Sequence, residues 1–226
     1  MRLYNSAVSG NCWKVRQMLA HLGVRADGSL APTPDELAAR SASPLADTAE
    51  AALSLELLEL DVVDRSERAS LIGHLSPVRR VPVLVLDDGR ALFESNAIID
   101  FLAEGTPYLP TDAHERQQAL AWQFFEQYEI EPNLAVARFY RIFALEPPEG
   151  LMGQKEEAGR RGLEALERGL TGREFLVGGR YTVADISLYA YTHVAAEGGF
   201  DLEPFPWVRA WLARVAAQPG HRLITD

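Results

Sequence analysis

The rhythm of apolar and polar positions changes several times in the first hundred residues. Residues 2–8 (RLYNSAV) are short and apolar-leaning, as a buried strand is. From Cys12 the spacing lengthens: Cys12, Val15, Leu19 and Leu22 fall on one helical face, and Gly23 stands where a helix stops. A second strand reads LELLELDVV at 55–63, followed by a polar helical stretch. Then VPVLVL (81–86), Asp87-Asp88-Gly89 and RALFE (90–94) place two strands around an Asp-Gly turn, a hairpin pattern. Ser95 is placed to cap a helix whose apolar face is Ala97, Ile98, Phe101 and Leu102, with Gly105 at its end. The pattern predicts β-α-β-α-β-β-α, a small α/β layer structure.

From about Asp112 the strand rhythm is lost. Helical periodicity runs through 113–145, 151–170, 183–196 and 205–217, which predicts an all-helical second half. GTPYLPTD, with two prolines and a glycine, reads as the joint. The expected division is an α/β domain over 1–105, a linker over 106–112 and a helical domain over 113–226. About thirty residues near 24–53, rich in Ala, Ser and Pro, interrupt the first domain, and a structureless loop of that length is improbable there. Thr33-Pro34-Asp35-Glu36 offers a complete capping box with proline at the first helical position, and Asp47-x-x-Glu50 a weaker second start. The segment reads as a surface helical insert.

The formal charge of −10 argues against nucleic acid as a partner, since phosphate-backbone binding needs a basic face. Of 22 basic residues only Lys14 and Lys155 are lysine. Cys12 is the single cysteine, which excludes an intrachain disulfide and a cysteine-based zinc site. The five histidines (21, 74, 114, 193, 221) lack metal-ligand spacing, so no metal is expected. No apolar run approaches membrane-spanning length, and MRLYNSAVSG has no charged n-region before an apolar stretch, so a soluble, cytoplasmic protein is the expectation.

Ser9-Gly10-Asn11-Cys12 lies where the first strand feeds the first helix. A helix N-terminus carries orphan N–H groups and partial positive charge, and a hydroxyl donor there suits a thiolate or a carboxylate. Ser-x-x-Cys also has the spacing of a thioredoxin-type Cys-x-x-Cys with serine in the nucleophile's place. By itself the pattern favours a plain N-cap.

Three longer blocks bear on that choice. SGNCWKVR (9–16), RVPVLVLDDGRALFESNAIIDFLAE (80–104) and FLVGGRYTVADISLYAYTH (175–193) resemble the glutathione S-transferase superfamily, and FFEQYEIEPNLAVARFY (124–140) is similar to a large bacterial branch of it. The resemblance spans nearly all of the chain outside residues 24–53, and the middle block is its most specific part. It implies a thioredoxin-like domain followed by a helical bundle, a homodimer, and an enzyme that conjugates glutathione to a small electrophile. It also implies a cis Val81–Pro82 bond that turns the Val81 backbone toward the cysteinyl unit of glutathione. Glu94 would take the γ-glutamyl ammonium, while Ser95 and the helix amides take its carboxylate. Arg80 stands where the family often has a polar side chain touching the peptide.

Within this resemblance Ser9 would stabilise the thiolate. Lowering a thiol pKa by two units takes about 2.7 kcal/mol. A hydrogen bond to a charged group supplies roughly 1.5–3 kcal/mol and a helix terminus up to about 1, so no general base is needed. A disulfide-reducing branch carries Thr-x-Asn at this place, which would set Ser9 and Asn11 together around the sulfur of a disulfide or peroxide reductase. A non-catalytic binding protein is disfavoured by the complete set Ser9, Val81-Pro82 and Glu94-Ser95. Cys12 falls at the resolving position, one turn into the helix, and is expected to be buried and inert. Thr182-x-x-Asp185, with Tyr181 and Ile186 placed as a hydrophobic staple, reads as structural. Trp122, Phe124, Phe125, Tyr128, Phe139 and Tyr140 are dense on one helix. Most are expected in the core, one or two at the electrophile pocket near Arg138 or Arg141.

Overall fold

The computed structural model describes residues 1–24, 33–45 and 55–225. The chain divides into two units, Met1–Leu109 with Pro219–Asp226, and Pro110–Gln218. The last residues thus group with the first unit and not with the helices before them. Apolar periodicity carries no mark of such a return.

In the first unit four short strands form one mixed sheet: β1 (Arg2–Asn5), β2 (Glu56–Glu59), β3 (Val83–Val85) and β4 (Ala91–Phe93), in the order β2-β1-β3-β4. β1 runs parallel to β2 and antiparallel to β3, and β3 pairs antiparallel with β4 through the Asp-Gly turn. Alternation sends Tyr4, Val83 and Val85 to one face, where they cluster with Leu60 and Ile72. Leu3 and Leu84 point the other way and are also fully buried, so both faces are covered. The second strand is shorter than its apolar run, because Asp61 and Asp64 turn their carboxylates back onto local backbone N–H groups.

The helices here are α1 (Gly10–His21), α2 (Pro34–Ala42), α3 (Arg65–Ile72) and α4 (Ser95–Ala103). The predicted box at α2 is present: Thr33 N–H donates to Glu36 and the Glu36 N–H to Thr33 Oγ1. The second start, Asp47-x-x-Glu50, lies outside the described residues. α4 ends before Gly105, whose φ of +79° and closeness to Ala42 require glycine. A Cβ there would lie 2.1 Å from the Ala42 carbonyl oxygen.

Apart from Asn11, α1 is buried along its length, and its polar residues are used as struts. Trp13 Nε1 donates to the Arg222 carbonyl (2.9 Å), Gln17 bonds Gly220 and Arg222, and Arg16 donates to Ile224. These bonds hold the returning tail on the helix. Arg16 also donates to Asn5 Oδ1 (2.6 Å) and to the carbonyls of Ser6 and Ala7, while Ala7 N–H donates to Glu59 (3.0 Å). The loop that delivers Ser9 is therefore braced from the tail side and from β2.

The second unit contains α5 (Ala113–Phe125), α6 (Val136–Ile142), α7 (Leu151–Leu170), α8 (Val183–Thr192) and α9 (Pro206–Ala216). The single helix expected over 113–145 is interrupted by a π-helical stretch, Glu126–Ala135, between α5 and α6. Pro132 lies inside it and has no N–H to give, a substitution that apolar spacing does not register. The six aromatics expected mostly in the core are all at least partly exposed, with Phe124 at 56% and Tyr128 at 76%. The inward row of this segment is instead Ala119, Gln123, Ile130, Leu134 and Ala137. Close approach by α7 favours small residues: a Cβ on Gly162 would come 2.8 Å from the Glu129 carbonyl. No helix among the described residues is long and apolar enough to cross a membrane.

Candidate active site

Ser9 caps α1 from extended backbone, as the strand-to-helix junction requires, and its Oγ accepts from the Cys12 N–H at 3.3 Å. Ser9 and Asn11 are half-buried, whereas the rest of the helix is buried. Cys12 is fully enclosed. Burial pushes its thiol up to about 11, although the Ser9 side chain and the Ser6 N–H both hydrogen-bond the sulfur. A thiol held that high is neutral near pH 7, which agrees with its assignment as inert.

The Val81–Pro82 bond is cis, as the resemblance implies. Val81 is half-buried and Pro82 buried, just before β3, while Arg80 is exposed beside Arg79, which has a φ of +53°. Glu94 is exposed and has a φ of +69° and ψ of 112°. That backbone conformation is costly for a residue with a side chain, and it lies between the hairpin and α4.

Ser95 corrects one expectation. It is not the cap of α4, because Glu94 occupies that position and offers no side-chain cap bond. Ser95 is the first helical residue, and its hydroxyl turns to α1: it donates to Asn11 Oδ1 at 3.1 Å and accepts from Lys14 Nζ at 3.4 Å. A hydroxyl has one proton, and here it is committed to Asn11.

The structure thus joins Asn11 to Ser95, two candidates 84 positions apart, and adds Lys14, which sequence reasoning missed. Lys14 is fully buried, rare for lysine without partners. A signal for it was present: it is one of two lysines in an arginine-rich chain, three residues after Asn11 on the same helix face. In the helical unit, Arg138 pairs with Glu197 (2.7 Å) and Arg141 with Glu156 (2.5 Å). Among the described residues no group of three or more His, Cys, Asp or Glu could hold a metal ion.

Comparison with known proteins places these residues in context. Residues 8–104 match the model of the glutathione S-transferase N-terminal domain, and residues 118–219 match that of the C-terminal domain. Glutathione S-transferase 2 of Anopheles gambiae is 31% identical over 174 residues, covering 74% of this chain and 81% of that protein. The disulfide-bond oxidoreductase YfcG of Escherichia coli is 26% identical over 178 residues, 76% of this chain and 83% of that one. Among solved structures, a glutathione S-transferase from Pseudomonas fluorescens superimposes with a TM-score of 0.83 at 37% identity, covering 100% of this chain and 98% of the other.

Proposed function

The chain belongs to the glutathione S-transferase superfamily, and from that premise we propose that it binds glutathione in its first unit, ionises the thiol at Ser9 and transfers the sulfur to a small electrophile. The observation that carries this reading is the start of α1, a half-buried hydroxyl at a buried helix N-terminus. Ser9 Oγ accepts from the Cys12 N–H, which leaves its O–H to donate to sulfur. The neutral Cys12 thiol is a weak partner, so a thiolate draws that O–H more strongly. With the helix terminus the interaction is worth about 3 kcal/mol, matching the 2.7 kcal/mol that a two-unit depression of the thiol pKa requires. Ionised, the sulfur attacks the electrophilic carbon as the leaving group departs, and catalysis is ionisation plus positioning.

The remaining residues of this reading bind the peptide. The Val81 backbone next to Pro82 pairs with the cysteinyl unit, Glu94 takes the γ-glutamyl ammonium, and the Ser95 N–H takes its carboxylate. Arg80, exposed beside them, offers its guanidinium to the peptide. A homodimer in the cytoplasm belongs to the same reading. The large aromatic surfaces of Phe124 and Tyr128, uncovered in a single chain, support the dimer.

The fixed Asn11 side chain favours a second reading, glutathione-dependent reduction of a disulfide or peroxide, with Ser9 and Asn11 both facing the sulfur. The test is the ultraviolet absorbance of bound glutathione thiolate against pH. Thiolate present near pH 7 in the wild type and absent in Ser9→Ala supports the transferase reading, with turnover of an aryl halide. Ionisation that survives Ser9→Ala and falls in Asn11→Ala, with turnover of a model disulfide, replaces it by the reductase.

A further inference from the structure

We propose that Lys14 is a positioning residue of the thiolate site, acting through Ser95 to fix the Asn11 amide with its carbonyl toward α4, so that hydrogen bonds from Asn11 to a bound sulfur are donated by Nδ2. This rests on the thiolate reading above. The Lys14 ammonium has only donors, so Ser95 Oγ must accept from it, at 3.4 Å. Asn11 Oδ1 has only lone pairs, so Ser95 must donate to it, at 3.1 Å. The order Lys14 to Ser95 to Asn11 is therefore set by the kinds of atom involved. A cation donating to the hydroxyl polarises its O–H and strengthens the bond it donates in turn.

With its oxygen engaged, the amide contributes hydrogen-bond donation toward the ligand, which suits a thiolate and disfavours a neutral thiol that needs an acceptor. Ser95 then has separate duties: its backbone N–H belongs to α4 and its side chain to α1. That explains why the hydroxyl turns away from the cap position, where a serine is commonly used.

The experiment titrates glutathione thiolate absorbance on the wild type, Lys14→Met and Asn11→Asp, alongside the affinity for S-methylglutathione, which has no ionisable thiol. Methionine matches the length of the lysine stem and removes its charge. The expected result for Lys14→Met is an apparent thiol pKa raised by about one unit, a tenfold loss in the thiolate-to-thiol ratio. S-methylglutathione affinity should change less than threefold. Asn11→Asp keeps the acceptor for Ser95 but has no N–H, so it should suppress ionisation at least as much. If Lys14→Met does not fold, Ser95→Ala breaks the same relay and should raise the thiol pKa in the same direction. An unchanged thiol pKa in folded Lys14→Met or Ser95→Ala, beside a wild type that ionises glutathione, overturns the relay alone. Equal loss of S-methylglutathione binding and ionisation assigns Lys14 to structure and overturns it too. A wild type that binds no glutathione overturns the thiolate reading and the relay together.

Discussion

α1 and α8 are both enclosed helices, one in each unit, and each begins with a hydroxyl cap, yet they are built to opposite ends. Every residue of α8 is buried, and in α1 only Asn11 is not. In α8 the cap is sealed: Asp185 accepts from Thr182 N–H (2.9 Å), Thr182 Oγ1 (3.2 Å), Leu176 N–H (3.1 Å) and Trp211 Nε1 (2.9 Å). Farther along, Thr192 bonds its own helix and Ser187 reaches Glu126. In α1 the first turn is left half-open at Ser9 and Asn11, and the buried polar residues Lys14, Arg16 and Gln17 brace α4, the preceding loop and the tail. A sealed cap is a fastening. An open one, with supports behind it, is where a ligand can finish the hydrogen bonding.

The largest effect expected from this comparison is on the sealed side. Asp185→Ala strands three buried N–H donors at once, and each costs about 1–3 kcal/mol without a partner. Chemical denaturation should show a loss of at least about 3 kcal/mol. Thiolate formation, which belongs to the other unit, should persist in whatever remains folded. A loss below 1 kcal/mol would mean that the cap of α8 fastens nothing.

The two helices also respond to acid in opposite directions. Burial, reinforced by His221 and opposed by Glu36, pushes the His21 imidazole down from 6.5 to about 4. Its contribution to stability is complete above pH 6.5 and is lost as pH falls through 4, worth about 3 kcal/mol. Burial pushes the Asp185 carboxyl the other way, from 3.8 up to about 6, against the pull of Trp211, Leu176 and Thr182. Its contribution is complete below pH 3.8 and is lost as pH rises through 6, also about 3 kcal/mol. In the wild type these slopes largely offset one another between pH 4 and 6. His21→Phe preserves the stack on Tyr108 (4.7 Å) and removes one of them. Its unfolding free energy should then fall from pH 4 to pH 6 relative to the wild type. Parallel profiles for the two proteins would remove the contrast.

What could be read from the chain follows the range of the forces involved. The Thr33 and Thr182 boxes, the Asp-Gly hairpin and the starts of α1 and α7 rest on neighbours within a few residues, and spacing shows those. The interruption at Glu126–Ala135 depends on how a proline-bearing helix packs, and apolar period alone reads through it. Ser95 looked like a cap because its local sequence permits one. Its actual partners, Asn11 and Lys14, come from a helix more than eighty residues earlier, and only folding brings them near. The tail on α1 is a contact of the same kind, across about two hundred residues. The strand-to-helix place of Ser9, the cis Val81–Pro82 bond and the hairpin-to-helix place of Glu94 were legible from resemblance, whereas the hydrogen bonding around Ser9 and Asn11 was not.

The smallest energetic effect separates the two caps most cleanly. Ser9→Ala and Thr182→Ala each remove one hydroxyl acceptor for a first-turn N–H, at 3.3 Å in both cases, so each should cost about 1 kcal/mol. Their stabilities should therefore fall together, while their chemistry diverges. Thr182→Ala should keep the wild-type thiolate titration and turnover per folded molecule, because its hydroxyl is sealed against Asp185. Ser9→Ala should lower the thiolate-to-thiol ratio near pH 7 by at least about tenfold, since the missing hydrogen bond carried the larger share of the two-unit depression and the helix terminus, which remains, the smaller. Denaturation midpoints and thiolate absorbance measured on the same preparations provide both readings. If turnover falls equally in both variants, both hydroxyls act through stability, and the open start of α1 is no more a site than the closed start of α8.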